Sequence, residues 1–248
     1  MFKLFNILLK ISILLSVKTS FALSSSSYLI TNSAINSYDY EKAYGQYEFS
    51  ERSFSERDLY YQLLVLVNLN LLSDSVEVAK KIVKINPNHQ EAWTIILTYA
   101  RIKNDYKILN EYKKKFYDSE MELLKYTFFD EEGKIQTNPQ IARSIFEIIK
   151  ISISRQGINL DYKLPLFYLS IVNNLDKNFN EAYFLTAQIY QNLKKLSKAE
   201  KYFNYINAKH DLYIESQMNI AVIKSQQGHF VDGEKLLLNL IIDYPKKF

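Results

Sequence analysis

The residue types that do chemistry are few in this chain and poorly spaced for it. Its three histidines, His89, His210 and His229, are the natural candidates for metal ligation or general base work. None has a Cys, a second His or an Asp/Glu at metal-ligand spacing on a shared helix face. Each falls near an expected turn between helices, so each reads as a solvated turn residue. The acidic stretch "DEEG" (130–133) lacks the alternating oxygen ligands and terminal glutamate of a calcium loop. "EYKKKFYD" (111–118) mixes lysine with rings, as nucleic-acid and membrane surfaces do, but reads as a solvated helix end. There is no glycine-rich phosphate loop, nucleophile elbow or Ser/His/Asp arrangement. The sequence therefore predicts a non-catalytic protein with no metal and no cofactor.

The elements that carry these residues are helices. Across 248 residues there are only 5 glycines and 4 prolines, too few for the turns of a sandwich or barrel. Hydrophobic residues make up 48% and charged residues 23%, the balance of an ordered chain. The N-terminus, "MFKLFNILLKISILLSVKTSFALSS", has Lys3 and Lys10, an apolar run from Ile11 to Val17, and the small-x-small site Ser20-Phe21-Ala22. This is the pattern of a secretory signal peptide over 1–22, cleaved after Ala22. An uncleaved anchor is the alternative, but the Lys10–Lys18 bracket is shorter than the ~20 apolar residues of a span. Loss of Lys3, Lys10 and Lys18 lowers the formal charge from +4 to +1, so nucleic acid is not an expected partner. Cysteine is absent, which excludes disulfides, thiol catalysis and lipid attachment at a cysteine after the signal. A periplasmic protein with no membrane span after cleavage is expected.

An internal period organises the rest. In "AYFLTAQIYQNLKKLSKAEKYF" (182–203), small residues stand at regular offsets from rings. The layout recurs further along the chain at a constant offset: Ala187 maps to Ala221, Leu196 to Phe230, Ala199 to Gly233, Phe203 to Leu237, and Lys194 to Gly228 at the turn. Small residues let paired helices approach, and the rings fill the adjoining gaps. Upstream, "NHQEAW" (88–93) parallels "NFNEAY" (178–183), and Trp93 and Tyr106 map back by the same offset to Leu59 and Leu72. "DYEKAYGQYEFS" (39–50) puts Tyr40, Ala43, Tyr47 and Ser50 at the offsets of Leu196, Ala199, Phe203 and Ile206. Pro87 and Pro245 close their units at equivalent positions. The predicted packing residues are therefore Ala43, Tyr47, Trp93, Tyr106, Tyr183, Ala187, Tyr190, Ala199, Phe203, Ala221 and Gly233.

These units resemble the tetratricopeptide repeat, a 34-residue helix–turn–helix unit, over about two thirds of the chain. The part after the signal also resembles the N-terminal part of longer exported tetratricopeptide-repeat proteins of alphaproteobacteria. The resemblance implies an all-α, right-handed superhelical solenoid of antiparallel helix pairs. Repeats 1–3 occupy 23–117, an irregular helix and loop insert follows at 118–140, and repeats 4–6 occupy 141–248. Within the insert, 118–129 is expected to be helical and 128–140 a loop. The next helices are expected near Ile141–Ser154 and 164–176, with 155–163 between them.

In the resembled family the first helix of each pair lines a concave groove. Carried onto this chain, that stripe is Tyr28, Asn32 and Asn36; Tyr60, Leu64 and Asn68; Thr94, Thr98 and Ile102; Phe184, Gln188 and Asn192; Met218, Val222 and Gln226. It is nearly uncharged and ends on an amide in four of five repeats. Amides both donate and accept, so a ladder of them can bond an extended peptide backbone without reading its sequence; an ordinary wetted helix face is the alternative reading, and the stronger one, since asparagine is abundant throughout the chain. Repeats that clamp acidic chaperone tails carry a lysine where Tyr28, Tyr60, Thr94, Phe184 and Met218 stand, so a carboxylate clamp is not expected. The leading expectation is a periplasmic scaffold that binds extended segments of envelope proteins for assembly or transport. The alternative is a structural subunit of an envelope complex, docking through its convex side or its uncapped C-terminal face. That last helix is apolar on more than one side, which implies either that the chain is a piece of a longer repeat array, the favoured reading, or that a partner or a second copy covers the face. A cell-wall enzyme or regulator rests only on the compartment.

Overall fold

A computed structural model describes residues 26–47, 55–116, 122–155, 161–245 and 247. The expected signal peptide over 1–22 lies outside the described residues. Every named element is a helix. They are α1 (26–36), α2 (Tyr40–Tyr47), α3 (Glu56–Asn68), α4 (Leu72–Ile85), α5 (Gln90–Ile102), α6 (Tyr106–Phe116), α7 (Glu122–Phe128), α8 (Asn138–Arg155), α9 (Lys163–Leu175), α10 (Asn180–Asn192), α11 (Leu196–Phe203), α12 (Tyr213–Gln226) and α13 (Phe230–Asp243). No helix among the described residues is long and apolar enough to cross a membrane. The chain divides into two compact units, residues 1–93 and 94–248, with the boundary inside α5.

The period is visible in the backbone itself. Five turns, each joining one helix to the next, place one residue in the left-handed region: Tyr38 (φ 57°), Asn70 (60°), Asn104 (55°), Lys194 (58°) and Gly228 (85°). Asn70 and Asn104 stand one full repeat apart, and so do Lys194 and Gly228. At each turn the following amide donates back to a carbonyl in the last turn of the first helix. These bonds are Asp39 to Ala34 (2.8 Å), Leu71 to Leu66 (2.9 Å), Asp105 to Ala100 (2.7 Å), Lys195 to Tyr190 (2.9 Å) and His229 to Lys224 (2.8 Å). This is the Schellman closure, which satisfies the last carbonyls of the first helix and reverses the chain within a short turn.

A second kind of turn opens the next pair. The side chains of Asn86, Asp176 and Asn207 accept from the amides of Asn88 (3.1 Å), Asn178 (2.9 Å) and Lys209 (2.9 Å). Each begins a compact Asx turn that ends one helix before the next starts. Asn86 Nδ2 donates to Glu56 Oε1 (2.9 Å), and the Asn207 amide donates to Asn180 Oδ1 (2.8 Å). Both contacts tie the end of a pair to its own beginning. α3 starts on a capping box, in which Ser55 Oγ accepts from the Asp58 amide and Asp58 accepts from the Ser55 amide, both at 3.2 Å.

In the first unit, α2 packs on α3 and α3 on α4. Ala34, Ile35, Tyr40, Ala43 and Val65 form a buried cluster there, with Tyr38, Tyr44, Tyr61 and Leu69 around it. In the second unit, each helix from α7 to α13 packs on its successor. α9 is its most enclosed helix, with Leu166, Phe167, Leu169, Ile171, Val172 and Leu175 all buried. A helix apolar on all sides must be covered on all sides, and α8 and α10 flank it.

The small residues do what their spacing predicts. Ala187, Ala199, Ala221 and Gly233 are buried, as is Ala43 in the first unit. A Cβ on Gly233 would lie 2.8 Å from the Ala221 carbonyl oxygen, so α12 and α13 approach to backbone contact there. Phe203 is fully buried with its ring edge-on to Phe184 (5.4 Å), and Tyr190 is buried against Tyr202 (5.5 Å). Trp93 is half-buried, its indole N–H donating to the Pro87 carbonyl (2.8 Å). Tyr47 closes α2. Tyr106 departs from expectation. It is the first residue of α6 and stands exposed, because a side chain at a helix start has no preceding turn to lie against.

Candidate functional site

The stripe inferred for the groove is sorted by the packing of each helix. On α1, Tyr28 and Asn36 are exposed and Asn32 half-buried. On α3, Tyr60 is half-buried with its ring on His89 (5.3 Å), and Leu64 is buried. Asn68 turns its Nδ2 back onto the Leu64 carbonyl (2.8 Å), so that donor is occupied by its own helix. On α5, Thr94 and Thr98 are buried, and the Thr98 hydroxyl has no partner. Phe184 is also buried, at 8% exposure against 40% for Met218, its counterpart in the next repeat. A groove position must be reachable, so Thr98 and Phe184 act as core and not as lining. For Phe184 the reason is the ring of Phe203 beside it.

On α10 and α12 of the second unit, five stripe positions stay open or half-open. Gln188 is half-buried and Asn192 exposed on α10, while Met218, Val222 and Gln226 are exposed on α12. Asn192 and Gln226 end equivalent helices, each just before the left-handed turn residue. Two apolar side chains on α12 and three amides, two on α10 and one on α12, thus stay open with no formal charge among them. Side chains of these kinds can bond a peptide backbone and cover apolar side chains.

Two arrangements escape the pattern of spacing. Tyr183, Tyr202 and Tyr205 form a ring cluster on α10 and the end of α11, with centroids 5.3–6.5 Å apart. Lys198 lies over the Tyr190 ring at 5.6 Å. Burial, with the nearby Tyr205 and Asp176, pushes the Tyr183 phenol up. The "KAEKYFNY" run (198–205) held part of this signal in two rings three apart in sequence, although Tyr205 lies just past the end of α11.

The second is a tight turn in the segment expected to be a loop. Phe129 and Ile135 pair as an isolated antiparallel bridge. Asp130 closes it, its amide donating to the Lys134 carbonyl (2.9 Å) and its Oδ1 accepting from the Lys134 amide (2.7 Å). Gly133 takes φ 73°, and a Cβ there would collide with the Lys113 ammonium, which donates to the Gly133 carbonyl (2.6 Å). The Tyr112 ring stacks on Phe129 (6.4 Å, 6°), and burial pushes its phenol up. Tyr112, Lys113, Phe129, Asp130 and Gly133, with Lys125, Tyr126 and Glu131, line a cavity of about 310 Å³. Tyr112 and Lys113 of "EYKKKFYD" thus hold the insert in place and are not a solvated helix end. Of the "DEEG" carboxylates, Asp130 closes the turn.

The histidines keep to turns. His89 Nδ1 accepts from the Ala92 amide (3.4 Å) and lies 3.3 Å from Glu91, while His210 Nδ1 accepts from the Leu212 amide (3.2 Å). His229 is exposed before α13. Among the described residues no three His, Cys, Asp or Glu side chains cluster to hold a metal ion. No protein-family model matches the chain, and no curated protein matches it.

Proposed function

We propose that the chain is a non-catalytic scaffold of the tetratricopeptide kind, its helix pairs stacked as a right-handed superhelix, exported to the periplasm. It binds extended segments of other proteins. The observation that supports this most is the repetition of one Schellman turn at the period of the sequence. That turn gives α10 and α12 equivalent ends and so repeats the amides Asn192 and Gln226 at matching positions, with Met218 and Val222 open on α12. Stacked helix pairs characteristically use such a face for extended ligands. Export is supported by the charge and apolar pattern of residues 1–22 alone.

The test is a peptide array of unfolded envelope-protein segments, probed with the full chain and with Asn192→Ala/Gln226→Ala. Each amide-to-backbone bond contributes ~1 kcal/mol, so the double variant should bind about 10- to 100-fold more weakly. Binding that is unchanged in the double variant overturns the assignment of the face. Absence of binding by the unaltered chain overturns the function.

A further inference from the structure

Packed interiors hold few voids larger than a water molecule, yet the tight turn of the insert borders a cavity of about 310 Å³. That is the small end of ligand pockets, which begin near ~300 Å³, and room for about ten waters at ~30 Å³ each. Its walls are held firmly. Beyond the bridge and the Lys113 bond, Gln136 Nε2 donates to the carbonyls of Tyr126 (2.9 Å) and Phe129 (3.1 Å). Arg101 of α5 donates through Nε to the Gln136 carbonyl (2.9 Å). A turn fixed in this way holds its lining side chains in one arrangement, as a binding site requires.

The lining sorts by chemistry. Tyr112 and Phe129 are buried and stacked, while Tyr126 is 56% exposed, so the cavity has an aromatic inner wall and an aromatic edge open to solvent. Among the described residues its charges are two of each sign, Lys113 and Lys125 against Asp130 and Glu131. Lys113 is engaged with the Gly133 carbonyl and the Phe129 ring (6.0 Å), and Asp130 Oδ1 accepts from the Lys134 amide. Beside them stand half-buried Lys125 and exposed Glu131, opposite in charge. A ligand of one sign would meet its own kind at one of these two, whereas a ligand carrying both signs matches the pair. We propose that the cavity binds a free aromatic α-amino acid. Its ring packs on Tyr112, Phe129 and Tyr126, its carboxylate meets the Lys125 ammonium, and its ammonium meets the Glu131 carboxylate. Such a ligand has about a dozen non-hydrogen atoms, in keeping with the ten or so waters it displaces. The amide face shares none of these residues, so this site stands or fails without it.

Isothermal titration calorimetry of the full chain with L-phenylalanine tests this. Saturable one-to-one binding is expected. 2-Phenylethylamine lacks the carboxylate, 3-phenylpropionate the ammonium and N-acetylphenylalaninamide both charges, and each should bind at least about ten-fold more weakly. Lys125→Met and Glu131→Gln should each weaken L-phenylalanine by about as much, with helix content unchanged. Lys125→Met should leave 2-phenylethylamine binding as it was, and Glu131→Gln that of 3-phenylpropionate, because each analogue already lacks the group concerned. No binding of L-phenylalanine, or binding that either variant leaves unchanged, overturns the inference. So does equal affinity for either singly charged analogue. Equal affinity for N-acetylphenylalaninamide overturns it too, since the cavity would then read only an aromatic side chain within a peptide.

Discussion

Replacing Gly233 by alanine probes the contact on which the helix pairing rests. In an isolated helix the change is favourable by ~1 kcal/mol, because alanine gives up less backbone freedom. In this fold the new Cβ sits 2.8 Å from the Ala221 carbonyl oxygen and 2.9 Å from Ser225 Oγ. Ordinary contact begins near 3.4 Å, so α12 and α13 must part by roughly 0.6 Å, an overpacking that costs ~1–3 kcal/mol. Ser225 cannot simply swing away, since its hydroxyl donates to the same Ala221 carbonyl (3.1 Å). The net expectation is a loss of about 1 kcal/mol. Gly45 in α2 is the control, because a Cβ there meets nothing within 4 Å. Gly45→Ala should stabilise by ~0.5–1 kcal/mol. Amide hydrogen exchange resolved by helix is the suitable assay, as it reads each unit separately. Protection should fall in α12 and α13 for Gly233→Ala and rise in α2 for Gly45→Ala. If Gly233→Ala stabilises as much as Gly45→Ala, the close approach is not there and the packing argument fails.

Three further outcomes follow from other elements. Lys194 holds φ 58°, so Lys194→Gly should raise stability by ~1 kcal/mol, while Gly228→Ala should lower it by about as much, both read by urea unfolding. Lys113→Met removes a charge-assisted bond to the Gly133 carbonyl and should cost ~1 kcal/mol, with faster exchange at the Gly133 and Lys134 amides. Burial raises the Tyr112 phenol, so the folded state resists its ionisation. Its stabilising effect is complete below the ordinary tyrosine pKa of ~10 and fades as pH climbs past it. Tyr112→Phe should flatten that alkaline loss in a pH series of unfolding curves.

Much of the fold was legible because the turn constraint is local. One residue per pair must enter the left-handed region, and the matched spacing of Asn70 and Asn104, and of Lys194 and Gly228, exposes that constraint in the letters themselves. The small residues Ala187, Ala199, Ala221 and Gly233 were legible for the same reason: bulk is excluded wherever the helices touch. The sequence pattern starts α8 at Ile141, whereas the helix begins at Asn138, because Pro139 reads as loop. In the fold Thr137 and Gln140 cap the helix, with the Thr137 amide donating to Gln140 Oε1 (2.9 Å), and proline fits the first turn. The surface was less legible. A four-residue step fixes a face of an isolated helix, but burial depends on which neighbour lies there, so Phe184 is packed while Met218 stays open. The insert joins Tyr112 of α6 to Phe129 just beyond α7, a contact that no periodicity announces.

The amide face is most directly tested by side-chain NMR. Titrating the labelled full chain with the strongest peptide from the array should shift the side-chain amide resonances of Asn192 and Gln226 together, at one affinity, and leave that of Asn68 in place. Saturable binding that moves neither Asn192 nor Gln226 would contradict the account, since the peptide would then lie elsewhere on the molecule.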